Sequence, residues 1–259
     1  MKTLHLENLT SPQVREAIDN GYKTVIVVAG SIEQHGLHLP VGTDAFLGEV
    51  LAEKIAAGMG NTLVAPVIRP GCSDHHMDFA GSLTISADLL KEICKAYCRA
   101  LAKHGFERIV LMSSHGGNNK AMIEVTPEIK AELPQCKVIW GDIYGIEESQ
   151  VAQQAVFDKY GVTAEEGGHH AGFTEASQVL ASPYDQWTDM PRAQRGFVGD
   201  SNAAIDAQMK ESGKWNIGKI SPIGTLGDPV KANAQAGKDW EAAAIPFMVK
   251  RINELLDKA

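Results

Sequence analysis

The apolar positions of this chain fall into two alternating patterns. Short unbroken apolar runs, such as Thr24-Val25-Ile26-Val27-Val28-Ala29 and Arg108-Ile109-Val110-Leu111-Met112, predict strands at 23–29, 62–66, 108–112 and 137–141. Between them, apolar residues recur at helical spacing. Phe46, Leu47, Val50, Leu51 and Ile55 predict a helix over 44–58, stopped by Gly58 and Gly60. Leu89, Leu90, Ile93, Ala96, Tyr97 and Leu101 predict another over 87–104. Further helices are expected at 119–132, near 146–159, from about Gly172 to 181, and from Asp228 or Ala232 to Leu256, with Pro246 a point of interruption. Thr10-Ser11-Pro12-Gln13 opens a short helix running to about Asn20. Strands separated by helices predict an α/β fold, a mostly parallel sheet sandwiched by helices in a single domain. Residues 183–235, rich in proline and glycine, read as a long irregular excursion with room for a short hairpin, covering the site or a subunit contact.

Composition narrows the function. At 259 residues the chain is long enough for one large core. A net charge of -8 without a lysine or arginine cluster argues against nucleic acid as a partner. No apolar run approaches the roughly 18 residues of a membrane span, and the N-terminus lacks the apolar core of a signal peptide, so a cytoplasmic protein is expected. Cys72, Cys94, Cys98 and Cys136 form no CxxC pair and read as reduced thiols.

The histidines change the picture most. Seven of the nine, all but His5 and His104, lie in loops after predicted strands or in the stretch before residue 175. In open α/β sheets such loops border the ligand crevice. The loop after the first strand carries Glu33, His35, His38 and Asp44, a donor set suited to a divalent metal. Glu33 and His35 are two apart and point to one side of an extended backbone. Asp44 alone would read as a complement to a helix dipole; beside Glu33 and His35 it reads as a third ligand. His38 fits a pocket residue or an orienting partner of a ligand imidazole. His115 follows a buried strand in Ser114-His115-Gly116-Gly117-Asn118, where glycines let backbone come close to a ligand. Glu175, five residues past His170, reads as either a helix-start carboxylate or a ligand. The loop at 71–82, with His75 and His76, fits a pocket wall.

These blocks carry a resemblance. Gly30-Ser-Ile-Glu-Gln-His-Gly-x-His-Leu-Pro-x-x-Thr-Asp44 resembles the signature of the creatininase (creatinine amidohydrolase) family. Ser73 to Ser82 is similar to that family's Phe-Pro-Gly-Thr loop, with Ala80 for proline and Ser82 for threonine. Ser114–Asn118 and His170-Ala-Gly-x-x-Glu175-x-Ser177 match two later blocks, in family order. The resemblance implies a creatininase-like fold, often a homohexamer, with two divalent metal ions per chain (zinc, manganese or iron(II)). Carried over by position, Glu33, Asp44 and His115 would hold one metal; His35, Asp44 and Glu175 would hold the other; His170 would transfer a proton. Substrate choice would fall to Ser73, His76, Gly116, Gly117 and Glu166. Relative to the family's creatinine-hydrolysing enzyme, Gly117 replaces a metal-binding glutamate, Glu166 a tryptophan and Gly116 an aromatic residue. Glu166, His75 and Asp78 therefore point to a polar small-molecule substrate.

Two close metals lower the pKa of a shared water and polarise a carbonyl, so no serine or cysteine nucleophile is needed. The expected reaction is hydrolysis of a C–N bond in a small cyclic amide or formamide, creatinine among the candidates. One alternative is hydrolytic C–C cleavage of a cyclic keto-polyol such as a dehydro-inosose. The other is a non-catalytic metal protein, which open carboxylate-rich sites fit poorly.

Overall fold

A computed structural model describes residues 2–142 and 147–259. Its sheet has four strands, β1 (Thr24–Ala29), β2 (Thr62–Val64), β3 (Arg108–Ser113) and β4 (Lys137–Trp140), in the order β2-β1-β3-β4. All three pairings are parallel; Thr24 lies opposite Thr62 on one side and Arg108 on the other, and Ala29 opposite Ser113. The strands read as continuous apolar runs because both faces are covered.

Alternation along each strand divides the core. Val25, Val27, Ile109 and Leu111 face a layer built from α1 (Ser11–Asp19), α3 (Ala87–His104) and α4 (Asn119–Glu132), where Ile18, Leu90, Cys94, Cys98, Met122 and Ile129 are buried. Ile26, Val28, Val110 and Met112 face α2 (Thr43–Met59), α5 (Glu147–Tyr160) and a long C-terminal helix, meeting Leu51, Ile55, Phe157, Trp240, Met248 and Ile252. The cysteines are all free. No helix among the described residues is long and apolar enough to cross a membrane.

The chain after β4 departs furthest from expectation. The first residue of the helix expected near 146–159 lies outside the described residues. A short α6 (Ala164–Gly167) precedes α7 (Phe173–Leu180). The excursion at 183–235 holds a helix, α8 (Ser201–Ser212), and among the described residues it has no hairpin; Phe197 meets Leu226 only in an isolated parallel bridge. The pattern misses α8 because only Ser201 of its residues is buried, so it has no apolar stripe to see. Its ends were visible: Asp200 accepts from the Ala203 N–H at 2.9 Å, and Gly213 closes the helix at φ +68°. The last helix, α9 (Ala234–Lys258), begins at an Asn233 cap and runs through Pro246. One lost hydrogen bond does not break it, because Ala244, Met248 and Ile252 are buried against the sheet on both sides of the proline.

Candidate metal centre

Strand order places the site. From β1 the chain crosses by α2 to β2 at one edge, then returns by α3 to β3 on the other side of β1. The carboxyl ends of β1 and β3 therefore flank a topological switch point, where a crevice opens. The loop after β1 brings Glu33 and His35, the start of α2 brings Asp44, and the residues after β3 bring His115. Gly30 lets the first loop turn here, since a Cβ would lie 2.8 Å from the Cα of Ala45. Asn118 ties the loops together: its Nδ2 donates to the Gly30 carbonyl at 2.9 Å and its Oδ1 accepts from the Cys72 N–H at 2.8 Å. Asn118→Ala would strand these buried groups; it is expected to cost roughly 2–3 kcal/mol, measurable by urea denaturation, with no ligand atom removed.

Asp44 lies at the centre. Its Oδ1 is 3.3 Å from His35 Nε2, and its Oδ2 is 3.3 Å from His115 Nδ1. Glu33 Oε1 lies 3.4 Å from His115 Nδ1, and Glu175 Oε2 lies 3.9 Å from His35 Nε2. In each histidine the remaining ring nitrogen is tied back to the chain. His35 Nδ1 meets the Glu33 carbonyl at 3.0 Å, and His115 Nε2 meets the Cys72 carbonyl at 3.1 Å. Donation to those carbonyls leaves a lone pair on the nitrogens that face Asp44, the arrangement of a metal-ligating imidazole. Glu33 Oε2, His35 Nε2 and Asp44 Oδ2 are buried without a hydrogen-bond partner. Such orphaned atoms are costly unless something else satisfies them. Glu33, His35 and Asp44 offer ligand atoms within 4.8 Å of one another, as do His35, His170 and Glu175. A carboxylate and imidazole donor set with unpaired buried atoms fits divalent metal.

The electrostatics follow the same lines. Burial pulls His35 towards neutrality, but Asp44, Glu175 and Glu33 outweigh it and push its pKa up to about 10. His115 is likewise held well above the usual range, burial being overcome by Glu33 and Asp44. Asp44 stays ionised despite its burial because both imidazoles face it. Burial raises Glu175 to about 7. In chain stripped of metal, protons on the two imidazoles thus stand in for the cations. A raised folded-state pKa gives stability that is complete below the unfolded value of 6.5 and lost as pH rises through about 10. Chelated protein is therefore expected to lose thermal stability between those limits, while metal-loaded protein does not lose this contribution. Melting curves at pH 6, 8 and 10 test this.

Around these candidate ligands the structure sorts the remaining residues. His170 Nε2 donates to the Gln34 carbonyl at 2.7 Å, which leaves its Nδ1 towards Glu33 Oε1 at 3.6 Å. Burial and the neighbouring His35 push it down to about 3. His76 Nε2 also faces Glu33 Oε1, at 3.3 Å, while Gln34 Nε2 donates to its Nδ1 at 2.9 Å. Ser73 Oγ lies 3.5 Å from His115 Nε2. Gly116 and Gly117 both line a cavity of about 330 Å³ over Glu33, Asp44 and His170. Gly117 has a second reason to lack a side chain, since a Cβ would run into the Cys72 carbonyl and His115 Nε2. His38 is buried beside His35, and burial with that neighbour pushes its pKa down to about 4. Glu166 is not brought to this cavity: it accepts from the Thr163 N–H at 3.1 Å and pairs with Arg195 at 3.4 Å. Asp78 is also engaged elsewhere, 2.6 Å from Asn216 Nδ2.

Two residues escaped the sequence reading. Gln34 sits between two ligand candidates, and its carboxamide binds His76 and the Gly224 carbonyl. Trp215 comes from the excursion and stacks on His75 with ring centroids 4.2 Å apart, giving the cavity an aromatic wall. Gln34 lay inside the first motif and could have been noticed; Trp215, far along the chain, carried no local signal.

Comparison with known proteins places the chain in a family. The chain is 30% identical over 241 residues to a mycofactocin precursor peptide peptidase of Mycobacterium ulcerans (strain Agy99), covering 89% of this chain and 85% of that protein. It is 20% identical over 273 residues to a 3-dehydro-scyllo-inosose hydrolase of Thermotoga maritima, covering 98% and 84%. A solved structure titled "Creatininase Mn" superposes with a TM-score of 0.80 at 20% identity over 98% of both chains. The profile of the creatininase (creatinine amidohydrolase) family matches residues 7–252, and the chain is a hydrolase belonging to that family.

Proposed function

We propose that this chain is a two-metal hydrolase that cleaves the C–N bond of an amide. The observation that carries the reading is the bridging posture of Asp44, whose two oxygens face two different imidazoles, each locked by a backbone carbonyl behind it. Glu33, Asp44 and His115 would hold one ion, and His35, Asp44 and Glu175 the other; zinc, manganese and iron(II) all suit these donors. When bound, two such ions polarise a carbonyl and bring the pKa of a water towards neutral. The rest falls to the protein. His170, neutral and with Nδ1 facing the centre, carries a proton to the leaving nitrogen. Gln34 fixes the tautomer of His76, whose Nε2 steadies Glu33. Water adds across the amide: a C–O bond forms, the C–N bond breaks, and an acid and an amine leave.

The amide is favoured over a cyclic keto-polyol because, of the three residues that suggested a polyol, only His75 lines the cavity. Glu166 and Asp78 are bound elsewhere, and Trp215 adds an aromatic face. The most similar of the relatives named above is a peptidase, which points the same way. A homohexamer completes the proposal, on the resemblance alone; a sedimentation mass of six chains tests the assembly. The function is tested by offering metal-loaded protein formamides, cyclic amides, linear amides and cyclic ketoses in parallel. Release of an amine supports the reading, and ring opening of a ketose without amine release overturns it.

A further inference from the structure

The loop at 71–82 carries a histidine that the proposed chemistry does not use. His75 lines the cavity over the metal centre, beside Glu33 and His115. Its ring lies parallel to that of His115, with an interplanar angle of 3° and centroids 5.6 Å apart, and Trp215 stacks on it at 4.2 Å. These contacts orient the ring without using its nitrogens. Among the described residues, no hydrogen bond or ion pair engages either of them.

One His75 nitrogen, one carboxylate oxygen of Glu33 and one ring nitrogen of His115 lie within 4.8 Å of one another. Bonds from zinc to nitrogen or oxygen are about 2.0–2.2 Å long, so opposite donors on one ion stand about 4.0–4.4 Å apart. A small side-chain movement therefore lets all three share an ion. Gly117 makes room for this. A Cβ there would stand 3.0 Å from His75 Cε1, and closer still to the Cys72 carbonyl and to His115 Nε2. The flank of His115 that a side chain at 117 would cover is covered by His75 instead.

Glu33 shows the same need from the other side. Its Oε1 faces His76, His115 and His170 at 3.3, 3.4 and 3.6 Å, whereas its Oε2 is buried with no hydrogen-bond partner. A buried carboxylate oxygen left in this way calls for a further partner. His76 is not equivalent to His75. Gln34 donates to its Nδ1 and so leaves the proton on the nitrogen that faces Glu33, and a protonated nitrogen cannot ligate.

We propose that His75 is a further ligand of the ion assigned to Glu33, Asp44 and His115. The inference rests on the two-metal reading above. It gives that ion two carboxylates and two imidazoles, the four protein ligands of a firmly held zinc, whereas the ion of His35, Asp44 and Glu175 has three and keeps a position open. The two sites then differ in affinity, and the site with His75 is the tighter.

Cobalt(II) tests this, with competition against a chelator to read affinity and absorption to read the ligands. Wild type is expected to take up two ions per chain. His75→Phe keeps a flat ring under Trp215 but removes the nitrogen. It is expected to lose at least about tenfold in affinity for one ion, the least that removing even an outer partner of a ligand costs. It should hold the other ion as wild type does, with the metal-free melting temperature unchanged. His75→Cys is expected to show a near-ultraviolet sulfur-to-cobalt charge-transfer band that wild type lacks. Two ions bound by His75→Phe as tightly as by wild type would overturn the proposal and leave the two-metal reading standing. One ion per wild-type chain, weakened by His75→Phe, would do the reverse. Should His75→Phe fail to fold, His75→Cys decides: the band supports the ligand, and bound cobalt without it overturns it.

Discussion

Replacing Asp44 with alanine is expected to remove both metals and to abolish turnover. The two metals proposed here share this one carboxylate, so its loss should not leave a half-filled site. Removing an outer partner of a ligand typically costs about 10–100-fold in metal affinity or activity; loss of a bridging ligand should exceed that. Elemental analysis of protein purified without chelator is expected to give two ions per wild-type chain and none for the variant. One retained ion would refute the bridge, and it would leave Asp44 as a ligand of a single site. Glu33→Ala and His35→Ala give the internal control, because each is assigned to only one of the two ions. The variant should also be less stable without metal. His35 would then lose its principal counter-charge and His115 one of its two, and breaking a buried charged pair commonly costs about 3–5 kcal/mol. A drop in the chelated variant's melting temperature, larger than that of chelated wild type, checks this independently of activity.

Much of this centre was legible in the sequence, for identifiable reasons. β1 and most of β3 are buried apolar runs, and the polar residues follow them at once, so periodicity located both the sheet and the crevice. Within one loop, Glu33, His35 and Asp44 are near enough in sequence that local geometry alone brings them together. His115 and Glu175 are brought to Asp44 only by the β1–β3 pairing and by the packing of α7 on α9, so their part rested on resemblance until the structure supplied the distances. What stayed hidden was what the excursion does. Trp215 and Ser201 lie in a segment without an apolar stripe, and their positions follow from tertiary contacts such as the 2.8 Å Ser201–His169 bond. Glu166 shows the opposite failure. Its place, where the resembled creatinine-hydrolysing enzyme has a tryptophan, suggested a pocket residue, but it is the third residue of a helix capped by Thr163, and a carboxylate there is drawn to the cap.

Replacing His170 is expected to separate metal binding from catalysis. No hydrogen bond or ion pair joins it to Asp44 or His115 among the described residues, and its Nε2 is already committed to the Gln34 carbonyl. His170→Ala should therefore keep its metals and lose turnover by about 10²–10⁴-fold, the usual contribution of a positioned acid or base. Its role at the leaving nitrogen makes a sharper claim. An anilide whose amine leaves without protonation should be hurt far less than an alkyl amide of the same acid, so the penalty should shrink as the leaving group improves. A penalty equal for both would mean that His170 acts before C–N cleavage, on the attacking water. An unchanged rate would shift the role to His76, whose Nε2 also faces Glu33 Oε1, at 3.3 Å, and whose ring lies 4.6 Å from that of His170. The two are not equivalent in this structure. Gln34 donates to His76 Nδ1 and so fixes a proton on the nitrogen that faces Glu33, whereas His170 presents an unprotonated one. Of the pair, His170 is the ring able to take a proton from the centre and deliver it.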